Sequence, residues 1–274
     1  MPRPSRSTNS NLAFSKEELR DAEEFQPQNL PIWREALLGV DWLSLRVSSV
    51  HRGVGIPRGD GSAVVLVPGF MGSDRYLGEM RSWLSRIGYT PYLSGIGRNI
   101  QCPSVLSDRL HQTMLRAADD VGGKVHLVGH SLGGVIARGA AIQWPELTAS
   151  VITMGSPFRG VRAHPFVILA ATIVRGGIAA TRRELPNTEP DCYTGKCECD
   201  FVQALKNVMP ESIAETAIYT KTDGVVDWRR CQNGLSETDI EVTGTHVGLA
   251  FNRTVYGHIA DRLAAARTTA PVAG

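Results

Sequence analysis

Ser131 stands in Gly129-His130-Ser131-Leu132-Gly133, where the apolar run "KVHLVGH" gives way to the small-residue stretch "LGGVIARGAAIQW". A serine hydroxyl is a weak nucleophile until a base takes its proton and a carbonyl is held beside it. A sharp turn from strand to helix would lift such a serine above the edge of a sheet. That turn forces the backbone close to itself, so glycine two residues before and two after removes the clash and tolerates the strained dihedrals. Gly129 and Gly133 hold those two places. The helix that follows would also point its positive end at an oxyanion forming next to the serine. The short pattern recurs by chance, and its position between a strand and a small-residue helix is what gives it chemical meaning.

The elements that must position Ser131 read as alternating strands and helices. "AVVLV" is a continuous apolar strand, and "DRYLGEMRSWLSRIGY" is amphipathic with a period near 3.6. "TPYLSGI" is a short strand, and "SVLSDRLHQTMLRAADDVGG" is a helix with a glycine stop. Beyond the serine come strand "ASVITMGS", an insertion at about 157–210, strands "ETAIYTKT" and "DIEVTGT", and a closing helix "NRTVYGHIADRLAAA". The alternation predicts an α/β fold, a mostly parallel central sheet with helices on both faces. Residues 1–29 form a polar tail, and residues 30–274 form one catalytic domain carrying the insertion as a helical cap or lid. "PIWREALLGVDWLSLRV" has helical apolar spacing and is expected to pack on the main body.

Three stretches together, "LVGHSLGG", "VVLVPGFMGS" and "ITMGSPFRG", resemble the α/β-hydrolase superfamily and within it the bacterial lipases and esterases. The resemblance covers roughly residues 60 to 265. It implies a nucleophile, an acid and a histidine in that chain order, an oxyanion hole of backbone amides, and no cofactor. Serine at the nucleophile position, rather than aspartate, disfavours the dehalogenase and epoxide-hydrolase chemistries of the same fold. The resemblance also puts the histidine in the loop after the last strand. Of His246 and His258, His246 lies in the glycine-flanked loop "VTGTHVG" and His258 inside the closing helix, so His246 is the expected base. The acid is expected at Asp223, the first residue of "DGVV", with Asp227 in reserve. An Asp-Gly pair is also a common turn former, and Asp223 can do both. The oxyanion donors implied are the amides of Leu132, after the nucleophile, and Phe70, in "PGFMG". Pro68 replaces the histidine usual in that loop, and Phe158 replaces another in "GSPFRG". His130 reads as a packed residue, not a second base.

The remaining features bound the partners. A net charge of +2 is too small to argue for a nucleic-acid partner, no basic run supports one, and none is expected. No calcium-ligand cluster stands out, so no metal is expected. The apolar run "PFVILAATIV" is about half of a membrane span. No signal peptide is visible, which makes a soluble, cytoplasmic protein the default. Cys192, Cys197 and Cys199 crowd into "CYTGKCEC". They fit one or two disulfides, with Cys231 as a distant partner and Cys102 apart, as well as they fit free thiols. Pairing would suit an exported form, and a zinc site lacks a further ligand at suitable spacing. In the insertion, Val167, Ile168, Leu169, Ile173 and Val174 precede Gly176-Gly177. This run reads either as a lid that touches a lipid interface transiently or as a buried cap helix. An apolar roof suits an acyl or aromatic ester. The function expected is a serine carboxylic-ester hydrolase acting on small-molecule or lipid esters. An acyltransferase would use the same residues with an alcohol acceptor, and a non-catalytic binding module would be expected to have lost one of them.

Overall fold

"AVVLV" offers no polar side chain to either of its faces, and it forms a strand buried along its whole length, β1 (Ala63–Val67). The structure is a computed structural model, and it describes residues 26–27, 29–159, 162–163 and 199–266 of the chain. Its sheet has six strands. The others are β2 (Thr90–Leu93), β3 (Val125–His130), β4 (Thr148–Met154), β5 (Ala214–Tyr219) and β6 (Asp239–Glu241). They lie in the order β2-β1-β3-β4-β5-β6, and every neighbouring pair is parallel. Parallel strands need covered faces, because their side chains alternate into two separate cores. Val65, Val67, Leu127 and Val151 point into a core closed by α3 (Pro103–Val121) and α4 (Leu132–Gln143). Val64, Leu66, Val128 and Ile152 point into a second core closed by α2 (Gly78–Ile87) and α6 (Arg253–Ala265).

Helix ends follow the sequence signals. Proline opens α3, where its missing N–H costs nothing, and Gly122 closes it at φ 64°. The register of β1, β3 and β4 sets Val67 beside Gly129 and Gly129 beside Thr153. The carboxyl ends of the central strands are thereby brought level, where loops can meet over the sheet.

The N-terminal segment is helical and meets the main body as expected, but through an unexpected set of contacts. It is a 3-10 turn (Ile32–Leu37) followed by α1 (Leu38–Val47), and its apolar stripe faces outward. Trp33, Val40 and Val47 are 68%, 67% and 65% exposed, and Leu45 is the one residue of α1 that is buried. The side that meets the main body is held by two carboxylates, Glu35 and Asp41. Apolar spacing located the helix, and the helix does meet the main body, with most of its large apolar side chains facing outward.

Most of the expected insertion, including the run from Val167 to Val174, Gly176-Gly177, Cys192 and Cys197, lies outside the described residues. So does most of the expected polar tail. The insertion's described end is α5 (Asp200–Leu205), whose Phe201 ring packs where a side chain on Gly139 would have to sit. Gln26–Pro27 and Arg162–Ala163 form a two-residue parallel pair. Cys231 corrects the expectation of a distant disulfide partner. It is a buried free thiol whose Sγ donates to the Asp227 carbonyl at 3.8 Å, and burial pushes its pKa well up. Among the described residues no helix is long and apolar enough to cross a membrane.

One buried ion pair ties α4 to β5. Arg138, 2% exposed, donates from Nε to Glu215 Oε1 at 2.8 Å and from Nη1 to the Leu205 carbonyl at 3.3 Å. Burial pushes the Glu215 carboxyl up, against the pull of Arg138. Removing one partner leaves an uncompensated buried charge, which is worse than removing both. Arg138→Met is therefore expected to destabilise the protein by about 3–5 kcal/mol in urea unfolding, and Arg138→Met/Glu215→Leu by clearly less.

Candidate active site

Ser131 is squeezed between the end of β3 and the start of α4 at φ 54° and ψ −129°. Among the described residues only it and Met71 are non-glycine residues with positive φ. Such a conformation costs about 1–3 kcal/mol and persists only where its surroundings fix it. Here Ser131 N donates to the Met154 carbonyl at 2.8 Å, and the Ser131 carbonyl accepts from Gly134 N at 2.9 Å. The glycines leave no freedom for side chains. A Cβ on Gly133 would run into the Val67 and Pro68 carbonyl oxygens, and one on Gly129 would lie 2.6 Å from the Gly133 oxygen. Gly134 is equally constrained, since a Cβ there would collide with Ser156 Oγ. Sequence spacing singles out Gly129 and Gly133; the need at Gly134 comes from Ser156, on the loop just past β4, which spacing does not reveal.

The structure brings Ser131, His246 and Asp223 together. The Ser131 hydroxyl donates to His246 Nε2 at 3.0 Å, and His246 Nδ1–H donates to Asp223 Oδ2 at 2.7 Å. Asp223 Oδ1 accepts from the amides of Val225 and Val226, each at 2.8 Å. One carboxylate thus makes the turn with one oxygen and holds the imidazole with the other. Both residues are 3% exposed. Burial alone would lower the His246 pKa. The charge and hydrogen bond of Asp223 and the charge of Glu35 overcome it, and the imidazole is raised above its ordinary 6.5. Asp227 is elsewhere, accepting from Arg229 N at 3.1 Å as the cap of a 3-10 turn (Trp228–Cys231). His258 lies within α6.

His130 is a packed residue. Burial drives its pKa down to about 3, so the ring is neutral, and Nε2–H donates to the His246 carbonyl at 2.9 Å. The ring also sits 5.0 Å from that of His246 and 5.5 Å from Tyr76.

Phe70 lies on a loop that passes beside Ser131: a Cβ on Gly69 would come within 3.1 Å of the Ser131 Cβ. The loop closes with Gly72 N donating to the Gly69 carbonyl at 2.9 Å and with Met71 at φ 59°. Its support is Asn99, fully buried, which donates from Nδ2 to the Pro68 carbonyl at 2.8 Å. The Asn99 carbonyl also accepts from Met71 N at 2.9 Å, and its own N–H donates to the Gly72 carbonyl at 3.0 Å. Asn99 carries no spacing signal in the sequence. Leu132 opens α4, so its amide has no intrahelical acceptor. Phe158 is buried beneath the Arg138 guanidinium, 5.0 Å from its ring centroid.

A hydroxyl, an imidazole and a carboxylate in one hydrogen-bonded row, beside the start of a helix, can run acyl transfer through the hydroxyl oxygen. Among the described residues no group of three His, Cys, Asp or Glu side chains could hold a metal ion.

Comparisons with known proteins bear on the family and the fold. The model of the alpha/beta hydrolase family matches residues 64–269. A triacylglycerol lipase of Pseudarthrobacter phenanthrenivorans is 31% identical over 113 residues, 38% of this chain and 35% of that protein. A triacylglycerol lipase of Burkholderia plantarii is 31% identical over 113 residues, 38% of this chain and 32% of that one. The match thus spans about a third of the length of these curated relatives. Among solved structures, a monoglyceride lipase of Saccharomyces cerevisiae superposes with a TM-score of 0.55 at 15% identity, over 78% of this chain and 91% of its own. A monoacylglycerol lipase of Paleococcus ferrophilus gives 0.52 at 16% identity, over 77% of this chain and 97% of its own. These structures share the fold; the family model, spanning the sheet and the serine turn alike, settles the kinship, and the chain belongs to the alpha/beta hydrolase family.

Proposed function

We propose that the protein is a serine carboxylic-ester hydrolase acting on apolar acyl esters. The observation that carries this reading is the row Ser131 Oγ, His246, Asp223, with the serine held in strain at the start of α4. Ser131 Oγ attacks the ester carbonyl while His246 Nε2 accepts its proton, and Asp223 stabilises the imidazolium that results. The amides of Phe70 and Leu132 receive the developing oxyanion. The imidazolium then protonates the departing alcohol, leaving an acyl group on Ser131. Water, giving its proton to the same imidazole, hydrolyses that ester and restores the hydroxyl. The triacylglycerol lipases among the relatives support an acylglycerol or similar substrate.

The direct test is hydrolysis of p-nitrophenyl esters from acetate to palmitate, together with labelling by a fluorophosphonate and mapping of the labelled peptide. Turnover and a label on Ser131 are expected, with the chain-length profile separating esterase from lipase. A folded protein that hydrolyses none of these esters, or one labelled elsewhere, would overturn the reading.

The pH dependence follows from His246. The base must be neutral to accept the proton, so kcat/KM falls as pH drops through the pKa of its imidazole. Because that pKa is raised, the acid limb is expected to have its midpoint above 6.5 in a profile on p-nitrophenyl butyrate. A midpoint below 6.5 would mean that burial outweighs the two carboxylates.

A further inference from the structure

Glu35 reaches the site from a part of the chain that contributes none of the reacting groups. Its carboxylate is a three-way acceptor. Oε1 takes the N–H of Gly224 at 3.2 Å and that of His246 at 3.0 Å, and Oε2 takes the N–H of Val247 at 2.9 Å. Gly224 follows Asp223, so a single side chain ties the loop that presents the acid to the loop that presents the base. The fit is close. A Cβ on Gly224 would lie 2.8 Å from the Pro31 carbonyl oxygen and 3.0 Å from Glu35 Oε1. Asp41 repeats the contact one residue earlier on the base loop, accepting from Thr245 N at 3.4 Å and from Asn252 Nδ2 at 3.2 Å. Bonds from neutral amides to a carboxylate are charge-assisted and stronger than neutral ones. The segment's apolar contribution to the core is Leu45, while Trp33, Val40 and Val47 face outward.

We infer that Glu35 is a positioning residue for the ester hydrolysis proposed above, holding the Asp223 and His246 loops in register and placing a second negative charge behind the imidazole. The inference rests on that reading for its catalytic meaning. Its geometric content, a carboxylate that fixes the base, stands apart from any substrate.

The charge has a consequence that loop bracing alone lacks. His246 faces Asp223 at Nδ1, Glu35 at its backbone N–H, Asp41 across Thr245, the ring of His130, and Tyr76, whose hydroxyl donates to the Val247 carbonyl at 3.1 Å. His130 is neutral, and burial first and then Glu35 keep the Tyr76 phenol protonated. Burial pushes the Asp41 carboxyl up, and the charges that favour the imidazolium are those of Asp223 and Glu35. Removing the charge of Glu35 lowers the pKa of His246 and moves the acid limb of activity to lower pH.

The test uses the full chain with Glu35→Gln, which keeps the size but removes the charge and one of the two accepting oxygens, and Glu35→Asp, which keeps the charge and shortens the reach. Three readouts are taken: kcat and KM on p-nitrophenyl butyrate, thermal unfolding, and the NMR titration of the His246 ring in histidine-labelled protein. Glu35→Gln is expected to lower kcat about 10- to 100-fold with KM within about twofold, since a small displacement of a reacting group costs that much. His246 should titrate at lower pH than in the parent, and Glu35→Asp should bring the titration back towards it. A Glu35→Gln protein with unchanged kcat and unchanged titration, or one altered only in its melting temperature, would overturn the inference. Should Glu35→Gln not fold, Glu35→Asp decides: one methylene shorter, it cannot span both loops, and parental kcat would overturn the role. The ring titration needs no turnover. A parent that hydrolyses no ester but whose His246 titration still drops in Glu35→Gln would sink the hydrolase reading and leave the positioning intact.

Discussion

Ser131→Ala is expected to lower kcat/KM on a p-nitrophenyl ester by about 10⁴-fold or more, with KM and the melting temperature nearly unchanged. The hydroxyl that donates to His246 Nε2 at 3.0 Å is the atom removed, while the turn stays as it was, because alanine keeps the Cβ and the positive φ. His246→Ala should cost about as much, and the double variant little more than either, since the two act as one unit. The strain gives a second readout. Ser131→Gly loses the same activity but relieves the backbone at φ 54°, and it is expected to be more stable than Ser131→Ala by about 1 kcal/mol in urea unfolding. Activity within tenfold of the parent in Ser131→Ala would place the nucleophile elsewhere.

The serine turn was legible because its physics is local. Close backbone approach dictates glycine at 129 and 133, and an apolar strand followed by small residues dictates where the turn falls. The parallel sheet was legible for a similar reason: strands buried on both faces, such as "AVVLV", read as unbroken apolar runs between amphipathic helices. What failed, or stayed silent, depends on residues far apart in the chain. The spacing of Trp33, Leu37, Val40 and Val47 is that of an amphipathic helix, yet spacing does not say which side meets the body. Glu35 and Asp41 set that side by bonding loops some 190 to 210 residues away. Asn99 braces the Phe70 loop across 31 residues, and one asparagine in "GRNIQ" has no period to betray it. Cys231 was grouped with the cysteine cluster by residue type, whereas its neighbours are those of a buried apolar side chain beside Tyr219 and Val226. In each case the signal was a tertiary contact, and one sequence carries no record of those.

Asp223→Asn should cost about 10⁴-fold in kcat while leaving the fold and KM nearly as they are. The reason is a tautomer. Oδ1 of Asp223 is already committed to the amides of Val225 and Val226 at 2.8 Å, so an asparagine there keeps its oxygen on those donors and turns its amino group to His246. Facing a donor, Nδ1 must give up its hydrogen, and the proton moves to Nε2. The ring then points an N–H at Ser131 Oγ and can no longer accept from it. The imidazolium also loses its nearest negative charge, so His246 should titrate lower than in the parent. Asp227→Asn is the matched control: its carboxylate caps Arg229 N and does not touch the ring, so activity should stay within about fivefold. A large loss in Asp227→Asn with little in Asp223→Asn would transfer the acid's role to the later residue. It would also show that the 2.7 Å contact between Asp223 and His246 serves the turn rather than the base.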